Sequence, residues 1–112
     1  MRVYLAGAIS SKELLTSLDN IRRGIEMAAF LVSDGYYVYA PHLDFLFALT
    51  LNGNILDEYH YKENSMAWLE VSDVVFVLPG WEKSKGTRAE IKRAKKLGIP
   101  VVFSYKELEE LK

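Results

Sequence analysis

The segment from Ser84 to Glu90 is the part of the sequence best suited to chemistry. It reads SKGTRAE and follows a strongly apolar run. Backbone N–H groups at the start of a helix attract an anion, and the Ser84 and Thr87 hydroxyls can donate further hydrogen bonds to it. Gly86 lacks a side chain, so a ligand can approach the backbone closely. Glu90 lies one helical turn later, where its carboxylate can face the same pocket and act as a nucleophile.

The same segment has a second, purely structural interpretation. Thr87 and Glu90 have the spacing of a capping box, in which the glutamate accepts a hydrogen bond from the Thr87 backbone N–H. From the pattern alone this interpretation is the commoner one. The two differ in burial and partners, because a capping glutamate is exposed whereas a nucleophile faces a pocket and is held by a second polar group.

Apolar runs and helical periodicities alternate along the chain and predict β-α-β-α-β-α-β-α. The predicted strands are residues 2–6, 36–40, 73–78 and 101–103. The first predicted helix begins at Ile21 and is ended by Asp34 and Gly35. The other three predicted helices cover residues 61–71, 87–97 and 105–111. Continuous apolar strands between helices indicate a parallel sheet covered on both faces. We therefore predict an α/β fold, a three-layer α/β/α sandwich with a small parallel sheet (flavodoxin-like or Rossmann-like), as a single domain over 1–112.

Two connecting stretches are less regular. Residues 10–20 are polar, and the capping spacing of Ser10 and Glu13 predicts a short helical turn there. Residues 42–61 are mixed in character and contain an expected turn at Asn52-Gly53-Asn54.

This topology predicts where a ligand binds. In open parallel sheets, ligands lie outside the carboxyl ends of the strands. The loops at that edge are residues 7–20, 41–61, 79–87 and the one after Phe103. The opposite edge holds poor catalytic candidates: Asp34, Ser72, Asp73 and Gly98.

Composition and missing motifs exclude several classes of function. The 112 residues carry 14 Lys and Arg against 15 Asp and Glu and contain no Cys. The near-neutral charge gives no case for a nucleic acid polymer or a membrane surface. The first loop lacks the dinucleotide fingerprint, and Lys85 precedes Gly86, which rejects a phosphate-binding Walker loop. His42 and His60 lack paired metal-ligand spacing. We expect no metal and no cofactor. Because the first apolar run is too short to span a bilayer, we also expect a cytoplasmic protein.

The chain resembles the nucleoside 2-deoxyribosyltransferase superfamily. It is most similar in pattern to the short uncharacterised homologues and the deoxynucleoside 5′-monophosphate N-glycosidases. The resemblance covers most of the chain except 10–20 and 46–61. It is carried by Tyr4-Leu5-Ala6-Gly7-Ala8-Ile9, Gly35-Tyr36-Tyr37-Val38-Tyr39-Ala40-Pro41, the strand at Asp73, and Leu78-Pro79-Gly80-Trp81-Glu82-x-Ser84-x-Gly86-Thr87-x-x-Glu90.

The resemblance implies roles for individual residues. Glu90 matches the nucleophile that attacks the anomeric carbon of the sugar, and Tyr4 matches the tyrosine that orients it. Ser84 matches a phosphate-binding serine of the monophosphate enzymes, which favours a nucleoside 5′-monophosphate substrate. The expected substrate-binding residues are Gly7, Ile9, Ser10, His42, Asp44, Ser65, Ser84, Gly86 and Thr87. Members of the superfamily commonly assemble, so a homodimer or higher homo-oligomer is expected.

The sequence also departs from the family pattern. Ser65 stands where the family usually has an aspartate, and a serine cannot deliver a proton as a carboxylic acid can. Asp57, Glu58 or His60 could substitute for that acid.

The aromatics Phe45, Phe47 and Trp81 are candidates for stacking on a base, or for filling the core or a subunit interface.

Two alternatives to an enzyme remain open at this point: a nucleotide-binding protein without turnover, and an oligomeric scaffold in which Glu90 is exposed and far from Tyr4.

Overall fold

A small all-parallel sheet forms the centre of the molecule. The computed structural model describes residues 1–50 and 55–112, so the turn predicted at 52–54 lies outside the described residues. The strands are β1 (Arg2–Ala6), β2 (Tyr37–Tyr39), β3 (Val74–Val77) and β4 (Val101–Val102). Their order across the sheet is β2-β1-β3-β4, and each neighbouring pair is parallel. The predicted fold class is confirmed.

Within residues 1–50 and 55–112, four α-helices cover the two faces of this sheet. They are α1 (Leu14–Ser33), α2 (Glu58–Glu70), α3 (Lys85–Leu97) and α4 (Tyr105–Glu110). None of these helices is both long enough and apolar enough to cross a membrane.

Alternation along the strands divides the buried residues into two cores. Val3 and Leu5 of β1 pack with Leu31 of α1 and Leu108 of α4. The intervening Tyr4 and Ala6 point to the other face and pack with residues of α2 and α3, namely Leu69, Ile91 and Ala94. Successive side chains of a strand point to opposite faces, so β1 contributes to both cores. Tyr4 therefore faces α2 and α3.

Three of the helices begin elsewhere than the sequence predicts. Helix α1 begins at Leu14 with no hydrogen bond from a capping side chain, and residues 10–13 form no helical turn, so the separate turn predicted at Ser10 is wrong. The helix expected at 61–71 begins earlier, at Glu58, because Asp57 and His60 satisfy each other's backbone N–H groups at 3.1 Å. Likewise α3 begins at Lys85 rather than at Thr87, with Ser84 as its cap.

The carboxyl ends of β1 and β3 form the switch point of the sheet. These two strands are neighbours, and β2 and β4 lie on opposite sides of them. The connections therefore diverge at this point, where ligands bind in open parallel sheets. The loop after β3 and the start of α3, which carry the SKGTRAE segment, follow the carboxyl end of β3.

Candidate active site

Tyr4 of β1 and Glu90 of α3 are hydrogen-bonded to each other. Tyr4 is fully buried on β1, and Glu90 is partly buried on α3. The Tyr4 hydroxyl donates to Glu90 Oε2. This contact contradicts the scaffold alternative as it was framed, because Glu90 is neither fully exposed nor far from Tyr4.

Burial changes the ionisation of both members of the Tyr4–Glu90 pair. Loss of solvent raises the pKa of Glu90 to about 7, and the hydrogen bond from Tyr4 opposes this shift. Burial also raises the pKa of Tyr4, and the neighbouring Glu90 charge raises it further. Tyr4 therefore remains a protonated donor, while Glu90 populates both its protonated and anionic forms near neutral pH.

The start of α3 is capped by Ser84, and the Thr87–Glu90 capping box is absent. The Thr87 backbone N–H donates to Ser84 Oγ at 3.2 Å, and the Thr87 hydroxyl donates to the same atom at 2.9 Å. Since Ser84 already satisfies the Thr87 N–H, the capping interpretation of Glu90 is wrong. Thr87 is itself buried. Ser84 Oγ accepts both bonds, so its own hydroxyl proton is directed elsewhere, and no described residue accepts it.

Gly86 lies in the first turn of α3 beside the Ser84 cap. Apart from its chain neighbours and the backbone of its own helix, a Cβ built on Gly86 would have no heavy atom of the described residues within 4 Å, and the φ of Gly86 is not in the left-handed region. The protein itself therefore does not require glycine at this position. The open space lies next to the helix N–H groups, where an anionic ligand would be favoured.

Tyr39 is a member of the site that the sequence reasoning missed. Its hydroxyl donates to Asp44 Oδ2 at 2.9 Å and accepts from Asn64 Nδ2 at 3.0 Å. Its ring stacks on Tyr4 with 5.7 Å between centroids. Tyr4 and Tyr39 are paired in register on β1 and β2, so the two-residue alternation of strands could have identified Tyr39 as a same-face neighbour.

Ser65 lies near the Tyr4 hydroxyl, and its polar side chain partly opposes the rise in the pKa of Tyr4. Its own hydroxyl donates to the Lys62 carbonyl at 3.2 Å.

The three residues proposed as substitutes for the usual acid have other partners. Asp57 and His60 cap α2, and Glu58 pairs with Lys62 at 3.1 Å.

His42 is placed on the other side of the sheet from Tyr4. Its ring is fully buried beside Gly24 of α1, and its Nε2 would lie 3.3 Å from a Cβ on Gly7. Burial lowers the pKa of His42 to about 4, and contact with the Ala8 backbone offsets this only in part. Neither ring nitrogen has a hydrogen-bond partner of good geometry within the described part of the chain. The structure therefore does not join His42 to the Tyr4–Glu90 pair.

The first loop contributes backbone groups more than side chains. Gly7 is buried at the end of β1, and the Ile9 carbonyl accepts from Asn20 Nδ2 at 3.3 Å. Ser10 is exposed. Over residues 1–50 and 55–112, no group of three or more acidic or histidine side chains is arranged to hold a metal ion.

The family model that matches this chain spans residues 1–103 and is described as a domain of unknown function, DUF4406. The chain belongs to the DUF4406 family. No curated protein matches it significantly.

Two solved structures are similar to this DUF4406 chain. One is a 2-deoxyribosyltransferase from the psychrotolerant bacterium Bacillus psychrosaccharolyticus, at 18% identity and a TM-score of 0.63, covering 90% of this chain and 69% of that one. The other is a conserved protein from Enterococcus faecalis V583, at 21% identity and a TM-score of 0.58, covering 89% of this chain and 60% of that one. At these identities the likeness shows the fold, and it confirms the predicted resemblance to the 2-deoxyribosyltransferase fold.

A groove runs along β2 and α2 in this DUF4406 chain, from Arg2 and Ser72 at the amino-terminal edge of the sheet to Tyr39 near the Tyr4–Glu90 pair. Its volume is about 450 Å³, within the usual range for small-molecule sites. Tyr39, Asp44, Asn64 and Trp68 line one part of it. Trp68 also stacks on Tyr39, with 5.9 Å between ring centroids. The aromatic stack and the Asp44–Tyr39–Asn64 hydrogen bonds thus connect the groove to Tyr4.

Proposed function

We propose that this protein cleaves or transfers the N-glycosidic bond of a (deoxy)nucleoside 5′-monophosphate, with Glu90 as nucleophile. The observation that carries the proposal is the hydrogen bond from Tyr4 to the partly buried Glu90. The likeness to the 2-deoxyribosyltransferase fold supports the reaction class.

The proposed reaction begins with attack by the Glu90 carboxylate. One oxygen of Glu90 forms a bond to the anomeric carbon while the N-glycosidic bond breaks, and its electron pair leaves with the base. The departing base nitrogen gains a proton from solvent. Water, or a second base, then attacks the same carbon and releases the sugar from Glu90. Tyr4 holds the carboxylate through its hydroxyl and orients it for attack.

The start of α3 supports a phosphate-bearing substrate. Ser84 places a hydroxyl, not a carboxylate, beside the helix N–H groups, and a carboxylate there would repel a phosphate. The open space at Gly86 lets a phosphate oxygen approach the backbone. We therefore expect the 5′-monophosphate to be preferred over the nucleoside.

The direct test is to incubate the protein with the common ribo- and deoxyribonucleoside 5′-monophosphates and the matching nucleosides. Free base is then measured by chromatography. Release of base from at least one monophosphate, with slower release from its nucleoside, is expected. If none of these compounds yields free base, the proposed activity is wrong.

A second candidate is nucleotide binding without efficient turnover, and Ser65 is the observation that favours it. Ser65 lies beside Tyr4 where a proton-donating carboxyl would assist departure of the base. This alternative predicts that a nucleotide raises the melting temperature while chromatography detects no cleavage.

Replacing Gly86 by Ala is expected to weaken use of the monophosphate selectively. The new methyl group occupies the space through which the phosphate approaches, so we expect KM for the monophosphate to rise about 10-fold, a loss of about 1.4 kcal/mol. Folding should be unaffected or slightly improved, because no atom lies within 4 Å of that methyl and alanine favours helix. Steady-state kinetics with the nucleoside provides the internal control. Equal effects on both substrates would contradict a phosphate at Gly86.

The rate is expected to rise with pH through a midpoint near 7. Glu90 attacks only as the anion, and its pKa of about 7 is set by burial. Tyr4→Phe removes the donor that stabilises this anion, so the midpoint should move to higher pH and the rate at neutral pH should fall about 10-fold or more. The measurement is kcat/KM across pH.

Tyr39→Phe is the matched control for Tyr4→Phe. It removes a hydroxyl from the ring stacked on Tyr4, but that hydroxyl contacts Asp44 and Asn64 rather than Glu90. Its midpoint should stay near that of the unmodified protein. Equal displacement of both midpoints, or a rate independent of pH, would count against ionisation of Glu90 as the controlling step.

A further inference from the structure

A second cavity lies between α3 and the carboxyl end of β4, away from the Tyr4–Glu90 pair. Its volume is about 340 Å³. The residues that line it are Trp81, Arg88, Ile91, Lys92, Lys95 and Phe103. We call it the α3–β4 cavity.

Helix geometry separates this cavity from the candidate active site. At about 100° per residue, Arg88, Lys92 and Lys95 fall within an arc of about 60° on one side of α3. Glu90 lies roughly 160° or more from the centre of that arc. The side of α3 that carries the three cations is therefore nearly opposite the side that carries the candidate nucleophile.

The positive charge in the α3–β4 cavity is not neutralised by the protein. Arg88, Lys92 and Lys95 take part in none of the ion pairs found among residues 1–50 and 55–112, whereas Arg93 on the same helix pairs with Glu70. No acidic side chain is among the residues lining the cavity. Three unpaired cations in a concave site focus the local potential and favour an anion there.

The wall of the cavity is aromatic and apolar. The rings of Trp81 and Phe103 lie with centroids 5.6 Å apart and planes inclined at 46°. Phe103 is 41% exposed, and Trp81 is partly buried. Such a pair offers a planar ligand an aromatic contact surface next to the cations.

We propose that the α3–β4 cavity binds a small aromatic anion, specifically a nucleoside phosphate, at a site distinct from the candidate active site. The base packs against Trp81 and Phe103, and the phosphates are held by Lys92, Lys95 and Arg88. The size of the cavity fits one small ligand, and the overall net charge of −1 gives no long-range attraction for a polymer. The proposal does not depend on whether Glu90 is catalytic.

Calorimetric titration of the full chain with adenosine 5′-diphosphate, adenosine and inorganic pyrophosphate tests this proposal. Adenosine 5′-diphosphate should bind at least about 10-fold more tightly than either part alone, because it uses both the aromatic wall and the cations. Fluorescence of Trp81 in a Trp68→Phe background should change on binding, since the chain has only these two tryptophans. Pyrophosphate binding as tightly as the nucleotide, or an unchanged Trp81 signal, would overturn the proposal.

The variant Lys92→Gln/Lys95→Gln tests whether the nucleotide binds in the α3–β4 cavity. Both side chains are exposed, so the protein should fold normally, and the affinity for adenosine 5′-diphosphate should fall about 10-fold or more. Lys96→Gln/Lys106→Gln is the matched control, because it removes the same charge from exposed positions that do not line the cavity. Equal weakening in both double variants would overturn the proposal, since the effect would then reflect net charge alone.

Two further measurements separate this site from its alternatives. Any base release from nucleoside monophosphates should be unchanged in Lys92→Gln/Lys95→Gln, whereas a parallel loss would assign the cations to the catalytic site. Single-stranded oligonucleotides of increasing length should bind no more tightly than the mononucleotide. Affinity that grows with length would instead identify a surface for nucleic acid and overturn the proposal.

Discussion

Glu90→Gln should lower the rate of base release by at least about 10³-fold, as expected when a nucleophile is removed. Glutamine keeps the size of the side chain and a carbonyl oxygen that can accept from the Tyr4 hydroxyl. The fold should therefore persist while the attacking carboxylate is lost. The measurement is chromatographic detection of free base under single-turnover conditions, normalised to folded protein.

Glu82→Gln is the matched control for Glu90→Gln. Glu82 lies in the connection that precedes α3, within a short 3₁₀ turn (Trp81–Lys83), and its side chain is exposed. It makes the same change in charge without touching Tyr4, so the rate should be unchanged. A Glu90→Gln protein that releases base as fast as the unmodified one would exclude Glu90 as nucleophile.

Binding and turnover can be separated with the same pair of variants. Glu90→Gln should still show a nucleotide-dependent rise in melting temperature, because the phosphate contacts that we propose at Ser84 and Gly86 do not involve the carboxylate. If the unmodified protein shows that rise and yet releases no base, the binding-only alternative raised by Ser65 is the correct one. An initial burst of base equal to the protein concentration would in turn support a covalent intermediate on Glu90.

The sequence predicted the sheet well because strand signals are local. The apolar run at 73–78 and the apolar residues of 2–6 needed no tertiary information to be recognised as buried strands. The meeting of Tyr4 with Glu90 is different, because these residues are 86 positions apart. They meet only because β1 and β3 are neighbours and α3 folds back over them. Local patterning could not supply that contact, and it was expected only through the family resemblance.

The helix starts were harder to predict for a related reason. Ser84, Thr87 and Glu90 present two overlapping capping patterns three residues apart, and the sequence does not say which N–H groups are free. In the structure Ser84 accepts a hydrogen bond from Thr87, which leaves Glu90 able to face Tyr4.

His42 was expected to contact a ligand because it follows Pro41 at the carboxyl edge of β2. Its burial depends on space left by Gly24, 18 residues earlier on another element, which no local pattern reveals.

Gly24→Ala is expected to reduce the free energy of unfolding by about 2 kcal/mol or more, through overpacking of a buried site. A Cβ on Gly24 would lie 2.2 Å from both Cγ and Cδ2 of His42 and 2.7 Å from its Nδ1. These atoms belong to a rigid ring that is itself fully buried, so the ring cannot swing into solvent without opening the core. Alanine gains up to about 1 kcal/mol of helix propensity over glycine, which offsets only part of this cost. Urea denaturation gives the difference directly.

The same substitution in a His42→Ala background isolates the steric cause. Without the imidazole ring the new methyl has space, so Gly24→Ala should become neutral or slightly stabilising there, and the double-mutant cycle should show strong coupling. An equal cost in both backgrounds would show that Gly24 is needed for a reason other than the ring.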